Sequence, residues 1–262
     1  PNKPFFVYLP LQAVHGAALP PERFKGKSGL GIKADKALWL NESVGKILDA
    51  LDAMNQTDQT LVIFTSDNGP LTSPNEYADA YKPAGPYRGY KTSIWDGGTR
   101  VPFFVRWPGM IKAGSESNHL LCLTDMMATF AALVGEKLPA DAGEDSFNQL
   151  PAILGEANKP ARETMVTHSL PGVYSTRNEK WKVIFDTKGA GGVYNENRGD
   201  PETFLPIAKT AHTDPGTTET GQIYFIQDDP YEQKDLWDQL PELAKEHLKI
   251  LRQFRESGYS NR

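Results

Sequence analysis

The sequence predicts an α/β protein: a core built on a βαβ unit, then a small C-terminal antiparallel sheet with a helix. Three observations predict it. Two apolar runs, Pro4-Phe5-Phe6-Val7-Tyr8-Leu9 and Leu61-Val62-Ile63-Phe64, lie on either side of a long amphipathic stretch. Short alternating segments crowd the second half of the chain. Leu243, Leu248, Leu251 and Phe254 then repeat at helical spacing near the end.

Taken in order, Phe5 to Leu11 is rich in aromatic and β-branched residues and reads as a core strand. It runs into the turn-like Gln12-Ala13-Val14-His15-Gly16. From Ala34 to Met54 the spacing predicts a helix, with Val44, Ile47, Leu48 and Leu51 on its apolar face. Strand, helix and strand, both strands nearly all apolar, predict a parallel unit covered on both faces. Ligands of such sheets bind beyond the carboxyl ends of the strands. His15 and Asp67-Asn68 both follow such ends, which places them at one sheet edge.

The next strand stops at Trp107-Pro108-Gly109. Thr124 is a plausible N-cap, with Asp125 at the positive end of a helix dipole, Met126 to Val134 as the body and Gly135 as the stop. A junction near Asn158-Lys159-Pro160 divides the chain into 1–158 and 159–262. Beyond it, Glu163 to His168, Gly172 to Thr176, Lys180 to Phe185 and Gln222 to Gln227 predict antiparallel strands, and Pro241 to Glu256 a final helix. The stretch from Asp186 to Gly221 is too long for an ordinary connection.

Composition excludes some functions. A net charge of −5 argues against nucleic-acid binding through a general basic field. No apolar run approaches the roughly 18 residues of a membrane span. Cys122 is the only cysteine, so no intrachain disulfide forms, and its apolar neighbours predict a core position. A domain rarely opens on a core strand, so a start at Pro1 predicts the downstream part of a longer protein.

Chemistry concentrates between Thr60 and Arg106. Asp67-Asn68-Gly69 at the end of an apolar strand offers a carboxylate and an amide carbonyl, both hard ligands suited to a divalent cation. Lys91, framed by Gly89 and the Gly97-Gly98 pair, sits on backbone that can approach an anion closely. Arg88 and Arg100 read as structural ion-pair residues. His15 at a strand end is a candidate functional residue, and His168 a weaker candidate for substrate contact.

These residues resemble a known family, the type I sulfatases (arylsulfatases). Pro4 to Leu9 with His15 is similar to their "PFFLYLA…H" segment, and Leu61 to Gly69 to their calcium strand. Arg88-Gly89-Tyr90-Lys91 with Trp95 to Pro102 is similar to "RGxK…EGGxRVP". Asp125 to Gly135 resembles "DxxPTLLxLAG", with Ala128 in place of the proline, and Tyr224 to Leu236 resembles "LYDLxxDPxExxNL".

The resemblance implies an alkaline-phosphatase-like sandwich core, here partial, and hydrolysis of a sulfate ester of a small molecule or carbohydrate. Asp67 and Asn68 would be Ca²⁺ ligands, Lys91 would hold a sulfate oxygen and the bridging ester oxygen, and His15 would serve the leaving alcohol. The family's formylglycine nucleophile arises from a Cys or Ser in "C/S-x-P-S/A-R", and no such motif occurs here; Cys122 does not fit it. The nucleophile and further metal and anion ligands are therefore expected upstream, in a missing N-terminal portion, and the chain is expected to be inactive alone. The resemblance also implies a periplasmic or secreted protein. Two alternatives stay open: a phosphodiester or phosphonate hydrolase of the same superfamily, and a non-catalytic binding module that kept the fold.

Overall fold

The computed structural model describes residues 3–16, 18–71, 81–186 and 220–261. Its contacts divide the chain into two units, Pro1–Thr60 with Ser73–Pro83, and Leu61–Thr72 with Ala84–Arg262.

In the first unit the dominant element is α1, Ile32–Ala53. It opens after Gly31, whose φ of 96° only glycine adopts without strain, and ends at Asn55 with φ 53°. Asp35 in the first turn anchors the preceding loop by accepting the Gly26 and Ser28 amide hydrogens at 2.8 and 2.9 Å. Fully buried Lys36 donates to the carbonyls of His15 and Gly16 at 3.1 and 3.2 Å, which pins the turn.

Two expectations fail here. Phe5 to Leu9 forms no strand and is 47–81 % exposed. On the predicted apolar face of α1 only Leu51 is buried, while Val44 and Leu48 are half-buried and Ile47 is exposed. Where no ladder forms, a segment has no sheet face to bury.

The second unit begins with β1, Val62–Thr65, which is half-buried rather than buried. It pairs antiparallel with β2, Phe103–Arg106, Val62 opposite Arg106 and Thr65 opposite Phe103. The predicted parallel βαβ pairing is thus absent among the described residues. Between the two strands lies the short helical turn α2, Asp96–Thr99. Then come α3, Met126–Leu133, and α4, Leu150–Ile153. Gly135 closes α3 with φ 77°, as expected of a C-terminal stop. Thr124 is no N-cap; it lies exposed in a 3₁₀ turn, Leu123–Asp125, that leads into α3. Asp125 is fully buried and accepts hydrogens from the Cys122 and Phe147 amides, Gln149 and Arg162. Cys122 is half-buried.

The C-terminal sheet follows the expected strands closely. β3 (Met165–His168), β4 (Tyr174–Arg177), β5 (Trp181–Ile184) and β6 (Gln222–Phe225) pair in sequence order, all antiparallel. Strand alternation divides their side chains between two faces. Val183, Phe185 and Ile223 pack against Ala244, Leu248 and Leu251 of α5, Pro241–Ser257. On the other face Ile184, Tyr224 and Ile226 pack against Ile94 and Trp95, just ahead of α2. Most of the segment from Asp186 to Gly221 lies outside the described residues. The architecture is α/β, with small antiparallel sheets and helices.

Candidate active site

The acid–amide turn and the lysine segment lie side by side in the second unit. The Gly69 amide donates to the Gly98 carbonyl at 2.9 Å, and the Lys91 amide donates to the Pro70 carbonyl at 2.8 Å. A third bond runs from the Gly97 amide to the Arg88 carbonyl at 2.7 Å. Glycine makes this approach possible. A Cβ on Gly69 would stand 1.9 Å from the Gly97 carbonyl oxygen, and one on Gly98 would stand 2.4 Å from that of Tyr90. Three short stretches, Asp67–Pro70, Arg88–Lys91 and Asp96–Gly98, therefore share one backbone-bonded knot.

The polar atoms that this knot presents are largely uncommitted. Asp67 is exposed and Asn68 half-buried. One carboxylate oxygen of Asp67 accepts the Asn68 amide at 3.0 Å, and the Asn68 side-chain amide donates to the Gly69 carbonyl at 2.8 Å. That leaves Oδ2 of Asp67 and the side-chain Oδ1 of Asn68 facing no donor among the described residues. Half-buried Lys91 likewise has no side-chain partner among them. Two hard oxygens fit a hard cation by donor chemistry, yet Ca²⁺ takes six to eight. No group of three or more His, Cys, Asp or Glu residues suited to a metal occurs among the described residues. Asp67 and Asn68 fit as part of a shell.

Exposed His15 belongs to the first unit and occupies the turn pinned by Lys36; its ring has no partner among the described residues. The structure brings the Asp67–Asn68 turn and the Lys91 stretch together within the second unit. Arg88 and Arg100 are structural, as expected. Arg88 stacks 4.0 Å from the Trp95 ring and donates to the Tyr224 hydroxyl at 2.9 Å. Half-exposed Arg100 lies 3.8 Å from Asp96. His168 ends β3, exposed, with Nδ1 2.9 Å from the Ser169 carbonyl oxygen.

A buried charge cluster behind the knot went unread in the sequence. Asp96 is 2 % exposed and accepts from Arg177 at 2.5 and 2.7 Å and from Lys182 at 2.8 Å. Lys182 also forms an ion pair with Glu232 at 2.7 Å. The second Glu232 oxygen accepts the Asp96 amide at 2.7 Å. Burial works against the Asp96 charge, but Lys182 and Arg177 overcome it and hold the carboxyl down at about 2. Burial pushes Glu232 up, Lys182 restrains it and the Asp96 carboxylate pushes it further. One signal was available: Lys182 interrupts the apolar string Trp181-Lys182-Val183-Ile184, on the strand face opposite Val183.

Comparison with known proteins decides the family. The Sulfatase family profile matches residues 1–136. The chain belongs to the sulfatase family. It is 34 % identical over 256 residues to an N-acetylgalactosamine-6-O-sulfatase of Bacteroides thetaiotaomicron, covering 95 % of this chain and 47 % of that one. Against arylsulfatase A of Bos taurus the identity is 31 %, covering 96 % and 48 %. A solved structure from work on glycosaminoglycan metabolism by B. thetaiotaomicron superposes with TM-score 0.79 at 33 % identity, covering 97 % of this chain and 51 % of that one. The PsFucS1 sulfatase from Pseudoalteromonas sp. gives 0.72 at 26 %, covering 95 % and 48 %. The chain spans about half the length of the curated relatives it matches, and the sulfatase likeness confirms the partial alkaline-phosphatase-like core.

Proposed function

We propose that the protein carrying these residues hydrolyses a sulfate ester of a carbohydrate or small molecule, with Lys91 and His15 as catalytic residues and Asp67 and Asn68 as ligands of a Ca²⁺ ion. The observation that carries this reading is the uncommitted Lys91 ammonium on backbone bonded directly to the Asp67–Asn68 turn, in a chain of the sulfatase family.

Lys91 holds one sulfate oxygen and the bridging oxygen, where negative charge grows as the ester S–O bond breaks. A fixed cation there stabilises the transition state more than the ground state. His15 supplies a proton to the departing alcohol oxygen, a contribution typically worth about 10²–10⁴-fold. The acid–amide doublet holds the calcium, which when bound supplies charge stabilisation for the sulfate group. The nucleophile comes from residues outside these 262, since no Cys/Ser-x-Pro-x-Arg motif is present in them. The exposed Phe5–Leu9 segment supports a partner of that kind, as does the twofold length of the relatives. The same kinship supports a periplasmic or secreted setting.

The test uses the full-length protein on p-nitrophenyl sulfate and p-nitrophenyl phosphate side by side. Sulfate turnover well above phosphate turnover, with Lys91→Ala lowering kcat/KM by about 10² or more, is the expected result. Equal or greater turnover of the phosphate ester would transfer the reading to a phosphohydrolase, and no turnover of either to a binding module. The 262 residues alone should show no sulfate turnover above the Lys91→Ala control. They should bind calcium weakly, because ligand charge count sets affinity.

A further inference from the structure

The charge cluster behind the knot is expensive to bury and lies outside the groups that would touch substrate. Two carboxylates and two cations have been taken from water, at a cost that their mutual attraction repays only with good geometry. Their placement relative to the knot gives them a use. Asp96 is held at its side chain by Arg177 of β4 and Lys182 of β5, and at its backbone amide by Glu232. The next two residues, Gly97 and Gly98, bond to the backbone of Arg88 and Gly69. Their missing side chains leave room for the Gly89 and Tyr90 carbonyls at distances no Cβ could tolerate. Rigid connection thus runs from the C-terminal sheet, through Asp96, to the stretch that carries Lys91 and the turn that carries Asp67 and Asn68.

We propose that Lys182 and Glu232 are positioning residues: by clamping Asp96 they fix the Gly97-Gly98 turn, which sets the separation of the Lys91 ammonium from the Asp67–Asn68 oxygens. The functional half of this statement rests on the sulfatase reading above; the mechanical half does not. Lys182 is the keystone because it touches both carboxylates, at 2.8 and 2.7 Å. Without it, two buried acids face each other across the Asp96 amide. Repulsion and the search for water then work on the residue next to the double-glycine turn.

The experiment follows amide hydrogen exchange, resolved to single residues by NMR, in the full-length protein and in Lys182→Met, Glu232→Gln and Leu251→Ala. Lys182→Met should speed exchange at Gly69, Lys91 and Gly97 at least tenfold while amides of α5 and of the β5–β6 pair change less than twofold. Glu232→Gln keeps the side chain's shape, should give a smaller change of the same pattern, and serves if Lys182→Met does not fold. Leu251→Ala loosens the opposite face of the sheet and should give the inverse pattern. In parallel, kcat for p-nitrophenyl sulfate should fall at least tenfold in Lys182→Met. Unchanged exchange at those three amides, or an equal rise throughout the unit, would overturn the proposal. Localised exchange in a protein that turns over no sulfate ester even when unsubstituted would sustain the clamp and sink the sulfatase reading instead.

Discussion

Phe5-Phe6-Val7-Tyr8-Leu9 and Gln222-Ile223-Tyr224-Phe225-Ile226 are similar strings of aromatic and aliphatic residues with opposite fates. The first is extended, without a ladder and 47–81 % exposed. In the second, Gln222 to Phe225 pairs residue by residue with β5, and Ile223 and Tyr224 are at most 1 % exposed. Apolar content does not separate them, since the first is if anything the more apolar; a paired strand does. A strand is stable only when a neighbour satisfies its backbone and another layer covers its face. For β6 both are present, β5 on one side, α5 over one face and the Ile94–Trp95 turn over the other. The first segment forms no strand among the described residues, and its side chains are exposed.

The contrast can be broken in three ways. The largest effect belongs to the covered sheet: Ile223→Ala or Leu251→Ala should cost about 2–5 kcal/mol by urea unfolding, the range for truncating a buried aliphatic side chain. A loss below about 1 kcal/mol would mean that the sheet is not the packed core described here.

Acid comes second. A carboxyl held low stabilises the fold above its unfolded value of 3.8, and that stability is lost as pH falls through the folded value of about 2. Asp96 should thus contribute on the order of 2 kcal/mol to stability lost between these values. Glu232 has the opposite sign: raised from 4.5, it stabilises below that value and loses the contribution as pH rises through its folded value. In Asp96→Asn the acid-side slope of stability against pH should flatten; an unchanged slope would remove Asp96 from the account.

The smallest effect belongs to the bare segment. In the 262-residue chain Phe6→Ser should shift stability by less than about 0.5 kcal/mol, as for an exposed position. The same change in the full-length protein should cost several times more if the rest of that protein covers the strip. Equal small losses in both would leave the strip a surface feature.

Much of the fold was legible. The periodicities that predicted α1, the four C-terminal strands and α5 are local properties, and those elements formed within a few residues of the expected bounds. Strand direction was not legible. The predicted parallel unit needed a strand at Phe5 to Leu11, which does not form, and β1 pairs instead with β2, antiparallel, because pairing depends on which distant strand is at hand. At the site, the sequence pointed to Asp67, Asn68 and Lys91, and the structure joins their backbones. It gave little sign of the cluster behind them, since nothing local links Asp96 to Arg177, Lys182 and Glu232.

By themselves, these residues determined the longer helices, the C-terminal strands and the chemical kinds of side chain that the site offers: an acid, an amide and an ammonium. Only the tertiary structure decided which glycines let three loops touch, which acids were buried with which cations, and which apolar strip stayed bare. The physical reason is one of range. Backbone propensity and hydrophobic periodicity act over a few residues, whereas burial and charge pairing depend on whatever the folded chain brings alongside.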